Sequence, residues 1–259
     1  MLPRIELLKG LENREVAARV IDLAEQAIKT WEVVVTDFLS PPEQAEVIQM
    51  FDRLTEVHLV FWGGYPQAER CRCAIARADL PLSPESVSLA VVDITGNFLF
   101  DAATHRDFLG SMLGCGIVRE KTGDIIVMGE RGAQAVVTPE MVEFLTFNLQ
   151  QVRSVPVKVK VIPVEELKIR EPKKKELTTV EASLRLDAIA SAGFGLSRSK
   201  MVDFINAGDV RVNWKDISQS SYNLKAGDLV ALRGKGRLEV GEIMVTKKDR
   251  YRVQLTRFV

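Results

Sequence analysis

Cysteine, histidine and aromatic residues are all scarce in this 259-residue sequence, which has 3 Cys, 2 His and 7% Phe, Trp and Tyr. Cys71, Cys73 and Cys115 are too few for a disulfide scaffold. A tetrahedral zinc site needs four convergent ligands. A Cys-x-Cys pair and two histidines far apart in sequence do not supply them, so neither a metal nor a cofactor is expected. Long apolar runs are missing as well. None approaches the ~18 residues of a membrane span, and the opening MLPRIELLKGLENREVAARV has no apolar h-region. The expectation is a chain with no membrane partner in a reducing, cytoplasmic compartment. What is present is ordinary: 46% hydrophobic and 27% charged residues, which excludes wholesale disorder.

The formal net charge of zero hides an asymmetry. Residues 1–170 carry 18 Lys and Arg against 24 Asp and Glu, a balance of −6, whereas residues 171–259 carry 17 against 11, a balance of +6. A basic end on an acidic body suits a polyanion partner. An ordinary basic surface complementing the acidic half is the plainer alternative.

Along the chain, Asn13 is placed to cap a helix reaching about Lys29, with Val16, Val20, Leu23, Ala24 and Ala27 on one face. Trp31–Phe38 is β-rich. Ser40, followed by Pro41, Pro42 and Glu43, starts a helix to about Leu54. Glu56–Trp62 and Glu69–Arg77 alternate as strands do, which makes Cys71 and Cys73 core residues. Gly63-Gly64-Tyr65 with Glu69-Arg70 reads as a turn with a surface ion pair, or less simply as a ligand loop. From Val87 to Ile162 the order is β-α-β-β-β-α-β, with helices at Thr104–Leu113 and Thr138–Gln151. Val118–Glu120 and Ile125–Met128 flank a turn at residues 121–124. This order fits an α+β plait of the ferredoxin or RNA-recognition kind with an extra strand. It lacks the aromatic strand signature that stacks bases. Residues 164–180 are charged and poor in apolar positions, and read as a linker.

From Ser183 the pattern tightens. Leu184, Leu186, Ile189 and Ala190 form an apolar helix face ending at Gly193. Ser197 caps a second helix with Arg198 and Lys200 in its first turn. Cations there oppose the helix dipole, and an anion bound at the same end would offset this. Asp209–Asn213 and Leu229–Leu232 are short strands, and Gly234-Lys235-Gly236-Arg237 is a basic turn. The submotifs RLD, GFGLSRSK, INAGDVRVN and KAGDLVALRGKGR, in this order over residues 183–240, resemble the alpha-L RNA-binding module of small-subunit ribosomal protein S-four. That resemblance implies contacts to RNA phosphates from Arg185, Arg198, Ser199, Lys200 and Arg211, with Lys235 and Arg237 from the basic turn. It implies that Asp187 orients an arginine. Lys173, Lys174 and Lys175 would add non-specific attraction.

The body carries a second resemblance. TDFLSPPEQ, GGYPQAERCR, HRDFLGSMLGCGIVREKTGDI and the closing VPVKVKV strand are similar to the YlmH-like family, in particular its cyanobacterial and plastid branch with a photosystem II label. No residue pattern points to photosynthesis. Ser40 stands where the family usually has an acidic residue. The resemblance implies an N-terminal α/β segment (1–82), an RNA-binding plait (83–164), a linker (165–180) and an alpha-L domain with a C-terminal strand (181–259). It implies a non-catalytic protein that binds structured rRNA or tRNA, on the large ribosomal subunit with peptidyl-tRNA, as in rescue and quality control. His105, Arg106, Arg119 and Lys121 form either a second RNA patch or a helix–hairpin network that holds the plait together.

Two other classes compete. His105-Arg106-Asp107 superficially matches a kinase loop, but the position needing Asn is Met112. Among RNA-modifying enzymes, pseudouridine synthases of this type carry the module at the N-terminus with a large catalytic domain behind it. Methyltransferases need a glycine-rich cofactor turn, and class-I synthetases need their nucleotide motifs. None of these is found, so no catalytic residues are expected. The third class is an assembly or regulatory factor whose acidic N-terminal part docks a protein.

Overall fold

The computed structural model describes residues 2–52, 54–169 and 174–258. The chain divides into two compact units, Met1–Ile169 and Arg170–Val259.

The first unit opens with helices α1 (Arg4–Leu7) and α2 (Arg14–Thr30), strand β1 (Val34–Val35), helix α3 (Pro41–Phe51) and strands β2 (Val57–Trp62) and β3 (Arg72–Arg77). The strands form an antiparallel sheet in the order β1-β3-β2. Helix α2 buries Ala17, Val20, Ile21, Ala24 and Ala27, so its inner face is rotated slightly from the one expected. Asn13 is the N-cap residue, but its side chain makes no cap bond. Instead the Glu46 carboxylate accepts from the backbone N–H groups of Glu12 and Asn13 at 2.8 and 3.1 Å. At α3 the Ser40 N–H donates to the Glu43 carboxylate at 2.6 Å in a capping box. The expected strand at 31–38 shrinks to two residues, because Trp31 ends α2 in the left-handed region with its ring under Arg77, 3.5 Å from the guanidinium carbon.

The plait follows: β4 (Ala90–Thr95), α4 (His105–Gly114), β5 (Thr122–Val127), β6 (Gly132–Val137), α5 (Met141–Asn148), the short hairpin β7 (Gln151–Val152) and β8 (Val155–Pro156), and β9 (Lys158–Ile162). The sheet order β5-β6-β4-β9, all antiparallel, is that of a ferredoxin-like plait. The extra strand expected at 118–120 is not there. Arg119–Lys121 forms a 3-10 turn, and residues 122–124, expected as a turn, begin β5. A register shift between Thr122 and Ile125 marks a bulge. Helix α5 is shorter than expected, and the hairpin β7–β8 takes up the difference.

The second unit contains β10 (Lys174–Glu181), α6 (Leu186–Phe194), α7 (Arg198–Asn206), β11 (Val210–Val212), β12 (Lys215–Asp216), β13 (Leu229–Leu232), β14 (Gly236–Val245) and β15 (Tyr251–Phe258). They form a six-stranded antiparallel sheet, ordered β10-β15-β14-β13-β11-β12. Leu186, Ile189, Phe194, Met201 and Ile205 of the helices pack onto Val210, Val212, Val230, Leu232, Leu238, Val240, Val253 and Leu255 of one sheet face.

The stretch read as a linker is structured on both sides of the residues left undescribed. Leu167 is buried, and Gln134 clamps the segment around it, donating to the Glu166 carbonyl at 3.3 Å and accepting from the Lys168 N–H at 2.7 Å. Residues 174–181 are an edge strand paired along their length with β15. An edge strand with one half-buried face offers few apolar positions, which is why its sequence reads as linker. Lys173 lies outside the described residues.

Candidate RNA interface

In the second unit, Asp187 lies in the first turn of α6 with its side chain only 5% exposed. Its carboxylate is held by two arginines. Arg185 Nε and Nη2 donate to its two oxygens at 3.0 and 2.9 Å, and Arg198 Nη2 donates to Oδ1 at 3.1 Å. Burial alone would raise the Asp187 carboxyl, but the hydrogen bonds from Arg185 and Arg198, and then their charges, hold it below the ordinary carboxylate value. The guanidinium groups themselves face water, with side chains 38% and 56% exposed. One buried anion therefore sets the direction of two outward cations. This is the orienting role expected of Asp187.

Helix α7 adds to this. Ser197 is its N-cap, and its hydroxyl accepts from the Lys200 N–H at 3.3 Å. Arg198, Ser199 and Lys200 are exposed in the first turn, which contains no acidic residue. Free N–H groups and cations at one helix end form an anion-binding arrangement. The turn between the helices differs from the one expected. Gly193 lies within α6, where a Cβ would sit 2.3 Å from Leu238 Cδ2, and the left-handed cap is Gly195 at φ +66°. A close helix–sheet approach uses the first glycine, and the chain reversal uses the second.

The other expected contacts lie elsewhere on the unit. Arg211 is flanked by buried Val210 and Val212, so by strand alternation it points away from α6 and α7. It is register-paired with Ala231, which pairs with Arg237, which pairs with Phe258, which pairs with Lys174. This row crosses the face of the sheet turned away from the helices. Lys235 is exposed in the β13–β14 turn, between Gly234 and Gly236 at φ +71° and +94°. The candidate contacts thus fall into a helical group (Arg185, Arg198, Ser199, Lys200) and an outer-sheet group (Arg211, Arg237, with Lys235 at its edge). Arg211 forms an exposed ion pair with Asp216 at 2.7 Å.

On the plait, one sheet face is covered by α4 and α5 through Phe108, Met112 and Leu145. The opposite face, where RNA-recognition motifs stack bases, is covered too. Val91 and Val136 pack against Phe38 of the N-terminal segment and Leu167, with Tyr65 at the margin. Gly123 makes this possible, since a Cβ there would lie 2.6 Å from the Phe38 ring.

The second patch is largely engaged in this seam. Lys121 Nζ bridges Asp37 and Glu140 at 2.6 and 2.9 Å. Arg119 donates to the Thr122 carbonyl at 2.7 Å, and burial, with repulsion from Arg70, pushes it down to about 10. His105 and Arg106 are exposed at the start of α4. Although the His105 side chain reaches solvent, the protein around the imidazole partly desolvates it, and this, then the charge of Arg119, places it below its ordinary value. Asp107 closes the capping box with Thr104, accepting its N–H at 2.8 Å.

Sequence reasoning missed the hub of this seam, Asp124. It accepts from Tyr65 Oη at 2.8 Å and from the backbone N–H groups of Glu69 and Arg70 at 2.7 and 3.1 Å. Arg70 does not read as half of a surface pair. It donates inward to the carbonyls of Thr122, Phe38 and Arg119 at 2.9, 3.0 and 3.3 Å. Arg72 is also buried, bonding the Thr36 carbonyl at 2.7 Å and the Ser88 carbonyl. The two faces of β3 are both buried, so alternation with arginine did not mean alternation with solvent. Cys71 and Cys73 are core residues as expected, and burial raises their thiols to about 11 and about 12.

Two arginines held from behind by a buried carboxylate, at the ends of a helix pair backed by a sheet, together with the S4 match, define an RNA-binding protein of the alpha-L class. Three family models match the chain: "YlmH, N-terminal" over residues 12–80, "Putative RNA-binding domain in YlmH" over 83–166 and "S4 domain" over 184–230. The chain is 32% identical over 224 residues, 86% of each sequence, to the ribosome-associated protein quality control protein P2 of Bacillus subtilis (strain 168). It superposes on the solved structure of cell division protein ylmH from Streptococcus pneumoniae with a TM-score of 0.54 at 18% identity, covering 62% of this chain and 96% of that one, a likeness of fold. The chain belongs to the YlmH family.

Proposed function

We propose that this protein is a non-catalytic factor that binds structured rRNA or tRNA on the ribosome. The observation that carries the reading is the Asp187 fork, which orients Arg185 and Arg198 outward beside Lys200. Such a preformed cationic face captures a folded RNA backbone, with shape and 2′-hydroxyls giving selectivity. The Bacillus relative, by its name a ribosome-associated protein quality control protein, supports the ribosome as the target; within this proposal the target is the large subunit carrying peptidyl-tRNA and the location cytoplasmic. Arg185, Arg198, Ser199 and Lys200 are the principal contacts in this reading, and His105 and Arg106 are the part of the plait patch left open to RNA.

A protein partner for the acidic first unit is a second element of the proposal. It is favoured by large apolar side chains left in water there, Phe100 at 93% and Phe147 at 75% exposure.

The test is cross-linking in cell lysate, sedimentation through a sucrose gradient at low and moderate salt, and sequencing of the attached RNA. The expected result is co-migration with large ribosomal particles, lost as salt rises, with cross-links in rRNA or tRNA. Migration as free protein without enriched RNA would overturn the reading.

A further inference from the structure

The outer face of the second unit's sheet carries a feature that the helical RNA contacts do not use. The hairpin β11–β12 is closed by the pair Val212 and Lys215, so its two-residue loop is Asn213-Trp214. Both have positive φ, +49° and +68°. Such a loop favours Asn and Gly, and a bulky aromatic residue there is a backbone outlier. The conformation is enforced from behind. Asn213 Nδ2 donates to Asp228 at 2.8 Å, and Asn213 Oδ1 accepts from the Leu229 N–H at 2.9 Å. Strain of this kind persists where surroundings over-determine it, and it points to function.

The strained position sets the indole over the basic row. The Arg237 guanidinium lies 6.0 Å from the Trp214 ring, within cation–π range. Trp214 also lines a cleft of about 470 Å³ together with Arg211, Ala231, Arg233 and Asp209. That volume is within the ~300–1,000 Å³ usual for small-ligand clefts. Asp209 is paired with Arg233 at 3.7 Å and Arg211 with Asp216 at 2.7 Å. The Arg211–Asp216 pair is exposed on both sides, and in the Arg233–Asp209 pair the arginine is 86% exposed against 28% for the carboxylate; ion pairs with an exposed arginine contribute little, so a phosphate can compete for either arginine. Phe258, next to Arg237 in the row, lies near Lys174 Nζ, 5.8 Å from its ring. Aromatic faces interleaved with cations are the elements of a single-strand platform.

We propose that this outer face is a second RNA site that takes an unpaired nucleotide, its base stacked on Trp214 and its phosphate held by Arg211 or Arg233. The inference rests on the reading of the protein as an RNA binder. It deepens that reading by giving the protein a preference for RNA with unpaired bases, separate from backbone capture by the helices.

The test uses the full chain and two fluorescein-labelled RNAs of equal length and composition, a hairpin with an unpaired loop and a blunt, fully paired duplex. Trp214→Gly removes the ring and suits the positive φ, so the hairpin fold is spared; Trp214→Phe keeps an aromatic face. The expected result is that Trp214→Gly weakens hairpin binding about tenfold and leaves duplex binding unchanged. Trp214→Phe should retain most of the affinity. In a Trp31→Phe, Trp62→Phe background, the remaining indole should be quenched by the hairpin and not by the duplex.

Wild-type binding of the hairpin by Trp214→Gly, or an equal loss on both RNAs, would overturn the inference and leave the helical site standing. Unchanged binding in Arg198→Ala/Lys200→Ala, combined with a hairpin-specific loss in Trp214→Gly, would overturn the helical site and uphold this one. A wild-type protein that binds neither RNA would overturn both.

Discussion

Replacing Asp187 separates two explanations of RNA binding that otherwise look alike. If binding depends only on positive charge, removing a carboxylate should strengthen it. If it depends on orientation, the same change should weaken it. Asp187 accepts three hydrogen bonds from Arg185 and Arg198 at 2.9–3.1 Å. Buried charge-assisted bonds contribute about 1.5–3 kcal/mol each. Here the arginines are 38% and 56% exposed, and water compensates much of the loss. A discounted destabilisation of about 2 kcal/mol for Asp187→Ala is expected, or roughly 8–16 °C in the melting of a unit this size. Asp187→Asn keeps one acceptor oxygen and should be milder, so it is the variant for binding.

Each arginine that loses its direction forfeits a phosphate contact. The slope of log K against log salt should then fall by about 0.7–0.9 per contact. Fluorescence anisotropy with bulk tRNA and full-length protein, over about 50–200 mM salt, reads both quantities. The expected result is weaker binding and a flatter slope, despite the added positive charge. Binding as tight as wild type or tighter, with an unchanged slope, would refute orientation by Asp187. The fork also has a pH limit. Its carboxyl lies below the ordinary value of 3.8, so the stability it contributes is complete above that value and is lost as pH falls through the lower folded value.

Three further outcomes test the first unit. His105 should titrate below 6.5 by NMR, assigned with His105→Gln. Its neutral form is favoured in the fold, so the stability it contributes is present above 6.5 and lost as pH falls through the folded value, and added RNA should raise the midpoint if the imidazole faces phosphate. An unmoved midpoint removes His105 from the interface. Gly123→Ala should destabilise by about 1–3 kcal/mol through collision with Phe38, measured by urea unfolding. The loss should be partly relieved in a Phe38→Ala background, and strict additivity would contradict the contact. Asp124→Ala leaves the Tyr65 hydroxyl and two backbone N–H groups without their acceptor, and should lower stability by about 2–4 kcal/mol. A change under about 0.5 kcal/mol, the range of neutral surface substitutions, would show that Asp124 is not the hub of the seam.

The plait and the helix pair were legible because their signals are local. Ser40 with Glu43 and Thr104 with Asp107 form the capping boxes their spacing suits. Ser197 caps α7, and Cys71 and Cys73 are core. What was not legible depended on partners distant in sequence. Strand β10 shows as a strand only through its pairing with β15, and Arg72 is buried because β3 is covered on both faces. Gly193 looked like a cap until Leu238 gave it a packing role. Arg198 and Lys200 lie exposed at the α7 start, where the spacing put them, but strand alternation placed Arg211 and Arg237 on the opposite face of the sheet. The two halves of one basic list are therefore two surfaces. Trp214 carried no sequence signal beyond being a tryptophan where a tight hairpin prefers glycine.

The central claim is that the α7 helix end holds RNA on the ribosome. Its most direct test is co-sedimentation of wild-type protein and the Arg198→Ala/Lys200→Ala variant with purified large subunits across a salt series. The account predicts salt-sensitive pelleting of the wild type, weaker pelleting of the variant, and a salt slope flatter by roughly one unit per lost phosphate contact. Identical pelleting of the two proteins at every salt concentration would contradict it.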